Sequence, residues 1–402
     1  MRAENIAAFG PDLVTVVGIG AGGWSDLSGT GRSTVEAADV LFGSDRQLAL
    51  VPASVVAERV PWPTPLLPAL PGLLAAHRGR RICVLASGDP MFHGIGATLV
   101  RLLGADRVRV EPHPSSTSLA AARMGWPLAD TDVISLVSAP VDAVRRLINP
   151  GRRFLVLSRD ASTPALVAGV LIGAGYDSAR LTVLSRLGGP DELITSDLTA
   201  ADPLNVIAVE CGDGPDTAIV PGLPDSAYET DGQLTKREVR AVTLAALAPV
   251  PGALLWDVGG GSGSIGIEWM RSHPACRAVT VESSPARCAT IRTNAAQLGV
   301  PGLAVVEGRA PGALAGLSTP DAIFIGGGLT AEGVLEACLA ALRPGGRLVA
   351  NAVTVESEAV VAAAYAKLGG DLTRLTVSRG SPVGGFTGWR TMMPVTIWSV
   401  TP

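Results

Sequence analysis

A glycine-rich segment in the second half of the chain has the residue types of a ligand-binding loop. Residues 257–264 read Asp-Val-Gly-Gly-Gly-Ser-Gly-Ser, and they follow the apolar run 252–256 and precede a helical pattern. Glycines at such a junction let backbone N–H groups approach a ligand that a Cβ atom would hold off. A second apolar run, 277–281, ends in Glu282, which lies 21 residues after Gly261. A carboxylate at that distance is placed to accept hydrogen bonds from both ribose hydroxyls of a bound nucleoside.

This loop resembles the S-adenosylmethionine (SAM) motif of Rossmann-like methyltransferases, because an acid, Asp257, opens it and Gly-Ser-Gly at 261–263 forms its core. An ordinary turn and a nicotinamide-dinucleotide loop are the alternatives for an isolated glycine loop, but Glu282 and the pattern at 321–328 favour SAM. Residues 321–328 predict another buried strand that ends in glycines, where a cofactor crevice should lie. The Asp/Asn-Pro-Pro-Tyr motif of amino-methylating DNA enzymes does not stand there, so we expect no nucleic acid partner.

The resemblance implies a set of SAM contacts in this half of the chain. Asp257 would fix the loop or the methionine ammonium, Glu282 would bind the ribose, and Ala310 would lie near the adenine. The loop itself would supply further contacts through Gly259, Gly260, Gly261, Ser262 and Gly263.

The N-terminal half also opens with an apolar run and a glycine loop. Residues 13–23 read Leu-Val-Thr-Val-Val-Gly-Ile-Gly-Ala-Gly-Gly, which could form a dinucleotide loop with Gly23 as its third glycine. A polar stretch, 24–29, comes next, and the predicted helix begins only near Gly31. A dinucleotide loop needs a helix N-terminus directly behind it, aimed at the pyrophosphate. The pattern therefore argues against a dinucleotide here.

A second loop in the N-terminal half indicates a different ligand. The predicted buried strand 82–86 runs into Ser-Gly-Asp-Pro at 87–90, which by itself is a tight turn. Together with the opening strand it resembles the tetrapyrrole methylase family, in which a Gly-x-Gly-x-Gly loop and a Gly-Asp-Pro loop flank the SAM site. The resemblance spans residues 12–212 and includes the later segments 114–118, 155–160 and 187–192.

The resemblance to tetrapyrrole methylases implies a second SAM site. It would be formed by two loop glycines, the Gly-Asp-Pro turn and two hydroxyl groups, namely Gly20, Gly22, Gly88, Asp89, Pro90, Ser115 and Ser116. Asp89 could instead cap a helix, since aspartate at a turn commonly does so. Ala21 stands where most members carry proline, which is a mild departure because the glycines set the backbone approach.

Residues 234–240, Leu-Thr-Lys-Arg-Glu-Val-Arg, predict a helix N-terminus at which Thr235 and Glu238 form a capping box. The same segment resembles the one that closes over SAM in decarboxylating precorrin methyltransferases, which implies a cofactor contact for Thr235. Both halves, in this order, resemble the two-domain decarboxylating precorrin-6Y methyltransferases of cobalamin biosynthesis. That resemblance implies an α/β protein with an N-terminal tetrapyrrole-methylase domain and a C-terminal Rossmann-like class I methyltransferase domain.

Length and composition agree with two globular domains. The chain has 402 residues, of which 47% are hydrophobic and 17% charged, so wholesale disorder is excluded. Gly and Pro punctuate the sequence most heavily after Cys211, which places a linker at 213–230 between domains 1–212 and 231–402.

Cysteine and histidine spacing indicates neither a disulfide frame nor a metal site. The five cysteines include no Cys-x-x-Cys pair, and no two of the four histidines are separated by four positions. We therefore expect reduced cysteines, a cytoplasmic location and no metal. No window has the roughly 18 uninterrupted apolar residues of a membrane span, and no signal-peptide core is present. Because relatives in both families tend to associate, a homo-oligomer is expected.

The resemblance implies two methyl transfers, to carbons 5 and 15 of reduced precorrin-6 (precorrin-6Y), and loss of carbon dioxide from the acetate on carbon 12. Such enamine-like carbons need alignment with the methyl group more than a strong base. No catalytic residue is predicted, and His93 and His113 are expected to be structural. A methyltransferase acting at other carbons of the same ring system, or a non-catalytic tetrapyrrole scaffold, is the alternative.

The implied substrate carries many carboxylates, for which arginine is the suitable partner. The candidates are Arg123, Arg159, Arg309, Arg379 and Arg390. A glycine-rich stretch, 378–388, could fold over a ligand. For each arginine, a solvated surface charge is the alternative.

Overall fold

The structure, a computed structural model, describes residues 13–402 and divides into two compact units. The first comprises the described residues up to Ser138 together with Pro150–Gly214, and the second comprises Ala139–Asn149 and Pro215–Pro402. Both units combine helices with sheets, which confirms the predicted fold class. The predicted linker, 213–230, contains one short 3-10 turn, Asp225–Ala227, and no strand.

The first unit begins with a five-stranded parallel sheet in the order β3-β2-β4-β1-β5. Its strands are β1 Val14–Ile19, β2 Val40–Gly43, β3 Glu58–Pro61, β4 Ile82–Ser87 and β5 Val108–Glu111. The helices between them are α1 Gly29–Ala37, α2 Asp45–Ala49, α3 Leu66–Ala76 and α4 Ile95–Leu103. The three inner strands are nearly continuous apolar runs because a parallel sheet is covered on both faces.

The second sheet of this unit has the order β6-β7-β10-β8-β9. Its elements are β6 Asp132–Ser135, β7 Arg153–Leu157, β8 Arg180–Ser185, β9 Leu193–Thr195 and β10 Asn205–Glu210, with α5 Ser116–Met124 and α6 Thr163–Gly173. Strand β10 is antiparallel to both β7 and β8. Strand β9 in turn pairs antiparallel with β8. Because β6 is parallel to β7, this sheet is mixed, whereas the alternation of apolar runs with helical stretches in the sequence predicts parallel sheets throughout.

The second unit is built on a seven-stranded sheet in the order β13-β12-β11-β14-β15-β19-β16. Its strands are β11 Leu254–Val258, β12 Arg277–Glu282, β13 Ala304–Glu307, β14 Ala322–Ile325, β15 Arg347–Ala352, β16 Asp371–Leu375 and β19 Val395–Val400. The helices are α7 Arg237–Leu247, α8 Ser264–Ser272, α9 Pro285–Gln297, α10 Val334–Ala341 and α11 Val355–Leu368. The first five strands are parallel and β19 is antiparallel to its neighbours, so the predicted strands ending at Glu282 and before Gly326 are confirmed.

Alternating residues of these strands enter two separate apolar cores. Leu255 and Phe324 contribute to one core, and Trp256 and Ile323 contribute to the other. Helices therefore cover both faces of the sheet, and the ligand-facing positions are left at the carboxyl edge of the parallel strands.

A two-stranded hairpin stands apart from that sheet. It consists of β17 Ser378–Val383 and β18 Phe386–Thr391, inserted in the chain between β16 and β19. Its apolar side chains are largely exposed, with Phe386 at 84% and Trp389 at 81%. Over residues 13–402, no helix is long and apolar enough to cross a membrane, and no cluster of three or more His, Cys, Asp or Glu side chains is arranged to hold a metal ion.

Candidate functional site

The glycine loop of the second unit lies between β11 and α8, at the carboxyl edge of the sheet. Gly259, Gly261 and Gly263 have φ values of +75°, +57° and +77°, which L side chains rarely adopt. A Cβ on Gly259 would lie 2.6 Å from the backbone of Gly327, and a Cβ on Gly260 would lie 2.1 Å from Cγ2 of Thr280. The loop is thus confined between the ends of neighbouring strands, and side chains at Gly259 and Gly260 would collide with them.

Glu282 ends β12 beside this loop and is 5% exposed. Its Oε2 accepts a hydrogen bond from the N–H of Gly261 at 2.9 Å, and its Oε1 accepts one from the N–H of Ser284 at 2.9 Å. The carboxylate is therefore held in a defined orientation next to the loop glycines.

Asp257 is buried beneath the loop. Its Oδ2 accepts hydrogen bonds from the N–H of Gly266 at 3.1 Å and from the hydroxyl of Thr280 at 3.2 Å. Burial raises the pKa of this carboxyl to about 7. Of the two roles considered for Asp257, these contacts correspond to fixing the loop and the first turn of α8.

Two side chains tie the loop to the segment before α7, namely Ser262, a predicted loop residue, and Asn294, which the sequence did not single out. The hydroxyl of Ser262 donates to the carbonyl of Gln233 at 2.7 Å. The amide of Asn294, fully buried in α9, donates to the carbonyls of Ser262 at 3.0 Å and Glu229 at 2.9 Å. A single asparagine inside a helix matches no short sequence motif, and the partners of Asn294 are far from it in the chain. Its role could therefore not be predicted from the sequence.

The capping box predicted at Thr235 is wrong. Helix α7 begins at Arg237 with Lys236 as N-cap, and no side chain caps it. The carbonyl of Thr235 accepts a hydrogen bond from Nη1 of Arg240 at 2.5 Å, and Glu238 pairs with Arg379 at 2.6 Å instead. Those tertiary partners compete with the local box, and Thr235 itself lines a cleft over the glycine loop.

This cleft has a volume of about 890 Å³. The predicted site residues Thr235, Gly259, Gly260 and Gly261 line it. The other lining side chains are both apolar and cationic and include Phe324, Met392, Met393, Lys236, Arg379 and Arg390. Ala310 does not line this cleft. It packs against the second apolar core, just after Gly308, whose N–H donates to the carbonyl of Glu282 at 2.9 Å.

A buried ion pair supports the segment that leads into the cleft. Arg240 and Glu268 are 0% and 2% exposed, and their Nε and Oε1 atoms lie 2.5 Å apart. Glu268 also accepts hydrogen bonds from the N–H groups of Gly222 and Leu223 and from the hydroxyl of Tyr228. The sequence signal for this network is Glu268 itself, a glutamate among the apolar residues 265–270 of α8.

In the first unit, three loops approach one another closely. A Cβ on Gly20 would lie 2.7 Å from Cε1 of His113, and one on Gly22 would lie 1.6 Å from the Asp26 carboxylate. Gly88 has φ +58°, and a Cβ there would lie 3.2 Å from the carbonyl oxygen of Pro114. The glycines are required by this convergence, which places Gly20 and Gly88 in the wall of a single cleft.

The remaining predicted residues of this site have local roles. Asp89 accepts a hydrogen bond from the N–H of Met91 at 2.8 Å in a turn, and α4 begins only at Ile95, so Asp89 is not a helix cap. Ser115 is the N-cap of α5 and accepts from the N–H of Ser118 at 3.0 Å. Pro90 is buried beneath the turn.

Ser116 and Arg46 also line this cleft, and no motif of the sequence singled out Arg46. Nη2 of Arg46 donates to the hydroxyl of Ser87 at 2.8 Å.

The five candidate arginines are not brought together. Arg123 pairs with Glu192 at 2.6 Å, and Glu192 also accepts from the N–H of Gly188 at 2.7 Å. Arg159 is exposed, and its Nε donates to the carbonyl of Val137 at 3.4 Å. Arg309 is exposed as well. Only Arg379 and Arg390 line a cleft, that of the second unit.

Comparisons with known proteins agree in both halves of the chain. A family model described as tetrapyrrole (corrin/porphyrin) methylases matches residues 13–202, and one described as precorrin methyltransferase domain matches residues 226–402. Among solved structures, the C-terminal domain of precorrin-6Y C5,15-methyltransferase from Rhodobacter capsulatus is 44% identical, with a TM-score of 0.44. That comparison covers 46% of this chain and 100% of that chain.

Two similar proteins carry the name precorrin-6Y C(5,15)-methyltransferase (decarboxylating). The one from Sinorhizobium sp is 48% identical over 397 residues, which are 96% of each chain. The one from Mycobacterium tuberculosis (strain ATCC 25618 / H37Rv) is 51% identical over 399 residues, which are 97% of this chain and 100% of the other. Because this identity extends over nearly the whole length, the chain belongs to the family of decarboxylating precorrin-6Y C(5,15)-methyltransferases.

Proposed function

We propose that this chain transfers methyl groups from SAM to carbons 5 and 15 of precorrin-6Y and removes the carboxyl group of the acetate on carbon 12, giving precorrin-8. The observation that carries the proposal is a glycine-walled cleft in each of two α/β units of a chain that belongs to this family. The first unit would methylate carbon 5, and the second would methylate carbon 15 and decarboxylate. The corresponding domains would be 1–212 and 231–402.

The second unit fits SAM by the shape and the chemistry of its loop. Gly259 and Gly260 leave backbone surface where any Cβ would collide, and Glu282 is fixed within reach of the same loop. Glu282 would bind the ribose hydroxyls, and Ala310 would border the adenine. The loop Gly259–Gly263 would contact the rest of the cofactor. Thr235 would contact SAM from the far side of the cleft.

A second SAM molecule would bind in the first unit. Gly20, Gly22 and Gly88 would admit it between the loops, and Ser116 would offer a hydroxyl group from the cleft wall. Ser115, Asp89 and Pro90 would hold the loop shapes. The chain would then hold two SAM molecules, one in each unit.

The chemistry requires little from acid–base side chains. SAM supplies a methyl group on a good leaving group, and the ring carbons are nucleophiles that lose a proton after methylation. In decarboxylation the bond between the acetate carboxyl and its methylene carbon breaks, carbon dioxide leaves, and the conjugated ring accepts the electron pair until the methylene carbon takes up a proton and becomes a methyl group. The protein therefore contributes positioning and a cleft that excludes water.

The test is mass spectrometry of the product after incubation of the full chain with SAM and reduced precorrin-6. We expect a product with two added methyl groups and without one carboxyl group. Glu282→Gln should leave one added methyl group, on carbon 5, and the carboxyl group in place. Glu307→Gln is a matched control, because Glu307 lies opposite Glu282 on the exposed neighbouring strand. Bound SAM with an unchanged tetrapyrrole mass would contradict the proposal.

We also propose that the protein is cytoplasmic and forms a homo-oligomer. Five free and buried cysteines among the described residues suit the reducing cytoplasm. Exposed apolar side chains on the hairpin support a homo-oligomer, which analytical ultracentrifugation of the full chain would test. The small tetrapyrrole would be its substrate, with no nucleic acid, membrane or metal involved.

A further inference from the structure

Three cations line the cleft of the second unit, and none of its lining residues is acidic. They are Lys236 at the start of α7, Arg379 on β17 and Arg390 on β18. A concave surface with cations and no carboxylate attracts anions. The three cations differ in whether carboxylates of the protein already neutralise them.

Arg379 is neutralised within the protein. Its guanidinium lies 3.3 Å from Oδ2 of Asp225 and 2.6 Å from Oε2 of Glu238. The hydrogen bond from Arg379 lowers the pKa of Glu238, so this carboxylate stays charged. Because two carboxylates pair with this guanidinium, its positive charge is already balanced within the protein.

Arg390 and Lys236 have no such partner. Within residues 13–402, neither forms an ion pair or a side-chain hydrogen bond. Arg390 lies directly opposite Arg379 in the hairpin register, but the carboxylates of Asp225 and Glu238 pair with Arg379 and not with Arg390. The positive charges of Arg390 and Lys236 are therefore available to an anion in the cleft.

The same cleft also has an apolar wall formed by Phe324, Met392 and Met393. Apolar side chains suit the face of a conjugated ring, whereas free cations suit carboxylates at its rim. Cations and apolar surface in one cavity therefore match a ring with anionic side chains better than a small inorganic anion.

We propose that Lys236 and Arg390 bind the peripheral carboxylates of the tetrapyrrole, while Arg379 is a positioning residue that anchors the hairpin through Asp225 and Glu238. This inference rests on the proposed function, because it concerns the substrate of the same cleft. It separates two arginines that the sequence treats alike.

The first test compares Arg390→Gln and Lys236→Gln in the full chain. The rate of formation of decarboxylated product is measured against the concentration of reduced precorrin-6. We expect each variant to raise KM for the tetrapyrrole about tenfold or more, since each removes a charged hydrogen bond. The affinity for SAM should stay unchanged, and the rise of KM with salt should become shallower. Arg237→Gln, an exposed neighbour of Lys236 that does not line the cleft, is the control and should behave as wild type.

The second test separates positioning from binding at Arg379. If Arg379 acts through Glu238, then Arg379→Gln, Glu238→Gln and the double variant should raise KM by similar factors. All three should keep the salt dependence of the wild type. If Arg379 binds the substrate directly, Glu238→Gln would free its guanidinium and lower KM, which would overturn its assignment as a positioning residue.

The outcomes distinguish this inference from the proposed function. A wild-type protein that forms decarboxylated product, together with an Arg390→Gln variant whose KM and salt dependence are unchanged, would overturn the carboxylate subsite alone. A wild-type protein that neither binds nor converts reduced precorrin-6 would overturn the proposed function, and this inference with it.

Discussion

At the scale of single residues, the loop of the second unit depends on the absence of one side chain. A Cβ on Gly260 would lie 2.1 Å from Cγ2 of Thr280, in the interior of the neighbouring strand β12. Neither group can move far, because Thr280 is fully buried and its hydroxyl is bonded to Asp257. Glycine is therefore required at position 260 so that the loop can pack against β12, as well as to leave space for the ligand.

We expect Gly260→Ala to destabilise the second unit by about 1–3 kcal/mol and to abolish its SAM binding, as overpacking does. Adding Thr280→Ser removes the colliding methyl group and keeps the hydroxyl, so the double variant should recover most of both properties. Thermal unfolding and isothermal titration with SAM measure the effects. Gly302→Ala, at a position with open space, is the control. If Thr280→Ser gives no rescue, the proposed collision is not the cause.

Asp257 gives the second unit a characteristic pH dependence. Burial raises its pKa from 3.8 to about 7 in the folded protein. Between these values the folded state holds a proton that the unfolded state has lost, so stability falls as the pH rises from about 4 to about 7.

We expect Asp257→Asn to remove this contribution. The loss of unfolding free energy between pH 5 and pH 7.5 should be smaller in the variant than in the wild type by at least about 1 kcal/mol. Urea unfolding of both proteins at the two pH values measures the difference, and the groups common to both cancel. Parallel pH profiles for the two proteins would show that Asp257 is ionised throughout this range.

At the scale of secondary-structure elements, one buried ion pair joins α7, α8 and the segment that precedes them. Glu268 of α8 accepts from Arg240 of α7 and from backbone N–H groups of Gly222 and Leu223. Arg240 in turn donates to the carbonyls of Thr235 and Leu223. The cleft wall at Thr235 is thus held by a pair that lies outside the cleft.

We expect Glu268→Gln to lower the unfolding free energy of the second unit by about 1–3 kcal/mol, because it removes the nearer of two carboxylates around the buried Arg240 and leaves Asp225, at 3.4 Å. SAM binding to that unit should weaken with it, since Thr235 loses its support. Calorimetric unfolding and SAM titration of the full chain are the measurements. Glu336→Gln, on the exposed face of α10, is the control. A change no larger than that of this control would mean that Asp225 alone suffices to neutralise Arg240.

Strands and helix ends were predictable from the sequence where the pattern that marks them lies within a few residues. Apolar runs that end in glycines or in Glu282 located β11, β12 and β14, because periodicity and punctuation lie within a few residues. The capping box at Thr235 failed for the opposite reason. The carboxylate of Glu238 accepts a hydrogen bond from Arg379, 141 residues away, and the carbonyl of Thr235 accepts one from Arg240.

At the scale of the whole molecule, the proposal of two SAM sites assigns each to a separate compact unit. The site in the first unit depends on Gly88, where φ is +58° and a Cβ would press on the backbone of Pro114 and Ser115. A β-branched residue in this conformation is strongly disfavoured.

We expect Gly88→Val to reduce bound SAM from two molecules per chain to one. The second unit should still act, so the product should lack the methyl group on carbon 5. Equilibrium dialysis with SAM and mass spectrometry of the product give the two readouts. Gly72→Val, in open space on α3, is the control and should retain both sites. A wild-type stoichiometry of one would contradict the proposal of two sites.

The sequence by itself determined the α/β class, the strands that end in loops, the position of Glu282 relative to Gly261, and the family. These features depend on residue types at short spacing, which a single chain displays directly. Only the tertiary structure decided that Glu268 neutralises Arg240, that Asn294 ties the loop to Glu229, and that Arg379 but not Arg390 is neutralised by acids. Such pairs join residues that are far apart in the chain, and their geometry exists only once helices and strands have packed.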